Sequence, residues 1–354
     1  MKASPSAIDY AQLATDIKIW GRELGFQQVG ISDISLGEHP AHMQAWIARG
    51  FHADMDFMAD PKRIHPADLI PGTARVISVR MDYWPEDTRA PDILRDPTRA
   101  YISRYALGRD YHKTVRKRLQ KFAERIQDAI GDFGYRAFVD SAPVMEKPFA
   151  EQAGLGWMGK HTVIINRSAG SYFFLGELFT DLPLPIDAPV SKHCGSCTAC
   201  IDICPTQAIV APYQLDSRKC ISWLTIEFQG MIPEELRRPI GNRVFGCDDC
   251  QLVCPWNRYA KSSPESDFLP RGKFDSATLL ELFQWSEAQY LRATEGMALR
   301  RALYPVFMRN IALGLGNAPH DTAIITALEA KLPDAGDVLA EQIRWSLAEQ
   351  KSRT

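Results

Sequence analysis

Apolar residues recur at helical spacing at Leu13, Ile17, Trp20 and Leu24, and Gly25 supplies a stop, so the chain opens on an amphipathic helix. Four β-branched or aromatic runs, at 76–81, 135–139, 162–165 and 172–175, are flanked by Gly, Pro, Asp or Ser and read as strands. Between the first two, Val115, Leu119, Phe122, Ile126 and Ile130 mark one long helix, and 148–153 also has a helical pattern. The first half is therefore mixed α and β. Pro183, Pro185 and Pro189 then crowd a short stretch, and 262–272 forms a second break. Beyond it the pattern is helical, with Leu299, Leu303, Val306, Phe307 and Ile311 as one apolar stripe, enough for one or two solenoid-like helix pairs.

These breaks predict an α+β protein of three domains, at 1–185, 190–262 and 270–354. The length of 354 residues agrees, since one domain usually takes roughly 100–200. At 45% hydrophobic and 24% charged residues, the chain is globular. Asp9, Asp16 and Lys18 interrupt the first apolar residues, so no signal peptide is expected, and no stretch approaches the roughly 20 apolar residues of a membrane span. The expectation is a cytoplasmic protein without membrane contact, and a monomer because no heptad or exposed apolar stripe stands out.

In that reducing compartment eight cysteines point to metal or redox chemistry rather than disulfides. All lie between Cys194 and Cys254. Cys194-x2-Cys197-x2-Cys200-x3-Cys204-Pro205 is the bacterial ferredoxin run, in which three thiolates grip one cubane and the fourth ligates another. Cys247-x2-Cys250-x3-Cys254-Pro255 repeats the later part of that spacing, and Cys220 stands apart as the missing thiolate. With the crossover made in both halves, one [4Fe–4S] cluster takes Cys194, Cys197, Cys200 and Cys254, and the other takes Cys204, Cys220, Cys247 and Cys250. Two four-thiolate zinc sites are the alternative, although zinc motifs usually pair two CxxC knuckles across a longer gap and need no Cys-Pro ending.

Two motifs near the middle are decoys. Gly154-x-Gly156-x-x-Gly159 matches the dinucleotide fingerprint, yet a helical segment precedes it where a strand is required. The same glycines with Lys160 mimic a P-loop, but His161 stands where Ser or Thr must bind magnesium. Glycines here would instead let backbone approach a bulky ligand. Asp140 closes a strand-like run and is either a carboxylic acid facing a cleft or an Asx turn or helix cap. As an acid it would need desolvation or nearby negative charge, since a free Asp has a pKa near about 3.9.

The net charge of −2 gives no global attraction to nucleic acid. Locally, Arg99, Arg104, Arg109, Lys113, Arg116, Lys117, Arg118, Lys121 and Arg125 face only Asp110 and Glu124, a net of 9 − 2 = +7. Tyr101, Tyr105, Tyr111 and His112 interleave with them, as on a surface that grips phosphates and stacks bases, although a solvated helix face has the same composition. Arg300, Arg301 and Arg309 form a second, weaker patch.

VDSAPVMEK at 139–147, GLGWMGKHTVIIN at 154–166, GSYFFLGELFTD at 170–181, CGSCTACIDICPTQAI at 194–209 and CDDCQLVCPWN at 247–257 together resemble the epoxyqueuosine reductase family across nearly the whole chain. The resemblance implies an N-terminal cobalamin-binding α/β domain similar to that of reductive dehalogenases, a ferredoxin-like domain with two [4Fe–4S] clusters, and a C-terminal HEAT-like helical domain. It implies an oxidoreductase that reduces epoxyqueuosine to queuosine at the wobble position of tRNA, with Co(I) cobalamin fed by the clusters and a carboxylic acid, matched by Asp140, as proton donor. A low-potential electron donor of unidentified nature is implied as well. Cobalamin is not visible in the residues themselves, because Asp110-x-His112 lacks the Gly of the base-off motif. On the resemblance, Arg63, Ser103, Tyr105, Asp140, His161, Ile164, Ser171, Ser222 and Gln229 are expected beside the corrin. The basic patches put Lys113, Arg116, Lys117, Arg300, Arg301 and Arg309 on tRNA. The competing readings are a cobalamin iron–sulfur reductase of a small organic substrate, which needs no phosphate-binding surface, and a plain electron-transfer protein, which leaves Asp140 and 154–171 unexplained.

Overall fold

The computed structural model describes residues 8–85 and 89–353. They form two compact units. The first holds the chain up to Tyr83, His112–Cys197 and Pro255–Lys261; the second holds Trp84–Tyr111, Thr198–Cys254 and the chain from Ser262 onward.

The first unit is built on a four-stranded antiparallel sheet in the order Gln28–Ser32, Arg75–Asp82, Phe173–Thr180, Tyr135–Phe138. Because side chains alternate across a strand, register decides what each face carries. Ile31, Ile77 and Leu178 lie opposite one another on one face, with Val79 paired to Val29 and Gly176. That face packs on the opening helix Tyr10–Glu23 and on the long helix Tyr111–Ile130, whose Val115, Leu119, Phe122 and Ile126 are fully buried. The other face carries Gln28, Ser32, Ser78, Arg80, Asp82 and Glu177, of which all but Gln28 are buried. The same face carries Val76, Phe138 and Phe179, which pack with Phe149, so its buried polar groups lie beside an apolar cluster.

The helices at the start and at 111–130 stand where the apolar periodicity put them, and the strand at 76–81 extends by one residue at each end. Gln28–Ser32 was not foreseen, since QVGIS is short and contains a glycine. The run at 172–175 is the start of a strand that continues to Thr180, because Gly176 and Glu177 interrupt the apolar pattern without interrupting the ladder. The run at 162–165 shrinks to Ile164–Ile165, paired with Trp157–Met158.

In the second unit the helix Tyr304–Asn317 is buried on nearly every side and packs on Asp337–Lys351. Ser346 Oγ donates to Ala312 O at 2.7 Å, and Gln350 Nε2 donates to Leu315 O and Ala318 O at 2.8 and 2.9 Å. The predicted apolar stripe needs one correction. Leu303 precedes the helix and is exposed, and Leu299 sits in a separate turn, Ala298–Arg301. No helix among the described residues is long and apolar enough to cross a membrane.

Arg309 also departs from expectation. It is 1% exposed, so it cannot meet a phosphate from its place inside this unit. Its guanidinium donates to Leu224 O, Phe228 O, Gly230 O and Asn310 Oδ1, and burial lowers its pKa to about 10. Arg309→Met should leave buried carbonyls without donors and lower unfolding free energy by about 3–5 kcal/mol, read from denaturant titration.

Candidate active site

The strand Tyr135–Phe138 ends two residues before Asp140, which lies in the left-handed region at φ 51°. Asp tolerates that conformation better than most non-glycine residues, at a cost on the order of 1 kcal/mol, and its surroundings here help to hold it. Two contacts do so. Asp140 Oδ2 lies 2.9 Å from Nε2 of His112, at the start of the long helix, and the Asp140 amide donates to Glu146 Oε1 in close contact. The helix-cap reading does not hold, since the cap of the following helix Glu146–Gln152 is Met145 and makes no side-chain bond.

Glu146 in turn meets Glu177, which is wholly buried in the central strand. Burial and the nearby charge of Asp140 raise Glu146 to about 7, and burial with the charge of Glu146 pushes Glu177 well above the ordinary carboxylate range. Arg63 completes the group. Its Nη1 donates to Val144 O at 3.4 Å, and although burial lowers its pKa, Glu146, Asp60 and Asp140 act against that. Asp140 and Arg63 were expected. Glu146 and Glu177 were missed, although a lone carboxylate inside FFLGELFT is the signal that marks a buried acid, and His112 stood out only within the basic stretch and in an incomplete motif.

His161 is 3% exposed, and burial with the nearby Lys147 lowers its pKa to about 4, so the ring is neutral. Its Nδ1 accepts from Val163 N at 3.1 Å, which puts the ring proton on Nε2, and Nε2 is buried without a partner among the described residues. An orphaned donor of this kind fits a group that brings acceptors, as the amide side chains of a corrin do. Ile164 and Ser171 are buried in the same unit, with Ser171 N held by Asn257 Oδ1 at 2.6 Å. Ser103, Tyr105, Ser222 and Gln229 belong to the second unit. Ser103 gives its hydroxyl proton to Asp248 Oδ1, leaving only lone pairs for a ligand. Ser222 and Tyr105 are partly buried, and Gln229 is exposed.

The glycine-rich segment runs from helix to strand, the reverse of a dinucleotide fold. The chain's own packing requires two of its glycines: a Cβ on Gly156 would stand 2.3 Å from Ile165 O, and one on Gly159 2.7 Å from His161 Cε1. Lys160 binds no phosphate here. Its Nζ donates to Gly195 O and Cys197 O at 2.7 and 2.9 Å and ties down the first cysteine loop.

None of the eight cysteines is in a disulfide. Six belong to the second unit, where the sulfur of Cys250 is pushed well up by burial and by nearby Cys220, Asp248, Cys204 and Cys200. Cys204 Sγ accepts from Ala208 N at 3.2 Å, the type of bond that stabilises a cluster thiolate. Asp248, between Cys247 and Cys250, accepts from Tyr101 Oη at 2.7 Å and Arg104 N at 2.8 Å.

These bonds correct the first basic patch. Tyr101 is fully buried with its hydroxyl on Asp248, and Arg104 is buried against Asp275, so neither meets a ligand at the surface. Lys113, Arg116, Lys117, Lys121 and Arg125 remain exposed on the long helix. Arg301 pairs with Glu227 at 3.9 Å, and Arg300 donates to Leu291 O.

A double ferredoxin cysteine run together with a strained, charge-coupled acid defines an iron–sulfur oxidoreductase. The model described as "4Fe-4S double cluster binding domain" matches residues 193–257, and "Epoxyqueuosine reductase QueG, DUF1730" matches 63–141. Epoxyqueuosine reductase of Pseudomonas aeruginosa is 61% identical over 342 residues, 96% of this chain and 95% of that one. The chain belongs to the epoxyqueuosine reductase family. Among solved structures, epoxyqueuosine reductase with an epoxyqueuosine-modified tRNA-Tyr stem loop is similar at TM-score 0.82 and 25% identity, covering 96% of this chain and 99% of that one. The Bacillus subtilis enzyme, with its catalytic aspartate loop swung out of the active site, is similar at TM-score 0.79 and 25% identity over 96% and 99%.

Proposed function

We propose that this chain reduces epoxyqueuosine to queuosine at the wobble position of tRNA, with Asp140 as proton donor. The observation that carries the reading is the left-handed Asp140 turn held against His112 in a chain of this family. Opening the epoxide leaves an alkoxide, a poor leaving group, and Asp140 protonates that oxygen. The proton that lies between Asp140 Oδ2 and His112 Nε2, 2.9 Å apart, is the one the substrate oxygen takes. General acid catalysis of this kind contributes about 10²–10⁴-fold.

Bound cobalamin would supply a strongly reducing, nucleophilic metal centre. Arg63, Ser103, Tyr105, Asp140, His161, Ile164, Ser171, Ser222 and Gln229 would hold it and exclude water. Cys194, Cys197, Cys200 and Cys254 hold one cluster and Cys204, Cys220, Cys247 and Cys250 the other, so single electrons enter from a low-potential donor. Cys220, whose sulfur acts on Cys250 ahead of those of Cys204 and Cys200, supports the second set. The division at 1–185, 190–262 and 270–354 then separates cofactor binding, electron entry and the helical domain. The chain acts in the cytoplasm as a monomer.

Lys113, Arg116 and Lys117 bind tRNA phosphates, with Arg300 and Arg301 as a lesser contact. Replacing the first three with Ala should weaken tRNA binding about tenfold or more and reduce the slope of log K against log salt by about 2–3 in filter-binding titrations.

The test of function is product analysis. Reduced, cluster-replete protein is incubated anaerobically with tRNA bearing epoxyqueuosine, and the digested nucleosides are weighed by mass spectrometry. Queuosine is the expected product; epoxyqueuosine left intact contradicts the reading.

A further inference from the structure

The sheet face that carries Ser78 and Arg80 also carries a carboxyl that the acid step does not use. Glu177 is 0% exposed, opposite Ser78 and Phe138 in the ladder, and neither of its oxygens receives a hydrogen bond from an amide, hydroxyl or cation among the described residues. A carboxylate so placed has nothing to offset its charge, so it keeps a proton. The group it meets is Glu146, which is itself an acceptor. Two facing carboxyls become a hydrogen-bonded pair only when they share a proton, and they titrate as a pair.

The shared proton fixes Glu146 in place. Its Oε1 then stands ready to accept from the Asp140 amide, the bond that holds the acid's backbone left-handed. The segment 139–144 is also held by Ser141 N to Val139 O, Val144 N to Ala142 O, Arg63 Nη1 to Val144 O and Asp140 Oδ2 against His112 Nε2, and Glu146 is the contact made to the Asp140 amide itself.

We infer that Glu146, clamped by the proton it shares with Glu177, is a positioning residue that latches the Asp140 turn in its working conformation. The charged and titratable groups facing the latch are Asp140, Arg63 and Lys147, with His112 beyond Asp140 and His161 beyond Lys147. As pH rises through the pair's upper titration the shared proton is lost, the two carboxylates repel and the grip on the turn fails. The latch rests on Asp140 as the acid, but its state is readable without turnover.

Hydrogen exchange over 139–146, as protection relative to the unstructured rate, is measured against pH for wild type, Glu177→Gln, Glu177→Leu and Glu146→Ala. The glutamine at 177 still donates to Glu146 and cannot ionise. Protection in the wild type should fall as pH rises, whereas Glu177→Gln should retain it, and Glu177→Leu and Glu146→Ala should lack it throughout. Single-turnover reduction should fall about tenfold or more in Glu146→Ala with tRNA affinity unchanged, and Glu177→Gln should stay within about threefold of wild type. Unchanged protection in Glu146→Ala, or equal damage from Gln and Leu at position 177, overturns the latch. A wild type that protects the turn as described but converts no tRNA would indict the substrate reading instead.

Discussion

Asp140→Asn is expected to lower the rate of epoxyqueuosine reduction about 10²–10⁴-fold while leaving both clusters and tRNA binding intact. The amide keeps the size of the side chain and can still bond His112 Nε2, which lies 2.9 Å from the native carboxylate oxygen. What it lacks is a proton to give. The loss should therefore appear in the chemical step, in single-turnover measurements with prereduced protein, and not in affinity. Equal loss of tRNA binding would mean that Asp140 supports structure rather than chemistry. Asp140→Glu should recover little, because the left-handed turn fixes where the backbone releases the side chain, and an extra methylene misplaces the acid.

Cys220→Ala should abolish multiple turnover, by about 10³-fold or more, and lower bound iron from about eight to about four atoms per chain, as loss of one of two cubanes requires. Cys220 is the cysteine that no ferredoxin run supplies, and it lies near Cys250 in the second unit. Without it, Cys204, Cys247 and Cys250 are left as three thiolates, with the Cys250 and Cys247 thiols already pushed up by burial. Cys254→Ala provides the contrast. Under crossed ligation it removes the other cluster, so the two variants should retain different paramagnetic signals on reduction. Identical residual spectra would reject the crossed assignment.

How much of this was legible in the sequence follows from what each signal depends on. The cysteine spacing is local covalent geometry, and the family model covers the same stretch, 193–257. The helices at 10–23 and 111–130 were legible because an apolar stripe must face a core. The strand Phe173–Thr180 was cut short because Gly176 and Glu177 look like a stop, whereas tertiary burial overrides that local pattern. Glu177 was passed over for the same reason. A buried carboxylate is meaningful only once the partner on a neighbouring element is known, and Glu146 is 31 residues earlier in the chain. Arg309 shows the converse. Charge alone suggested a surface contact, and only the carbonyls of Leu224, Phe228 and Gly230 reveal a buried structural cation.

Of all measurements, dependence on the corrin tests the account most directly. Wild-type protein with both clusters reduced is given epoxyqueuosine-tRNA anaerobically, with and without cobalamin, and queuosine is quantified per chain. The account predicts multiple turnovers with cobalamin and essentially none without it. Equal conversion in both, or none in either with cobalamin bound and the clusters intact, would contradict it.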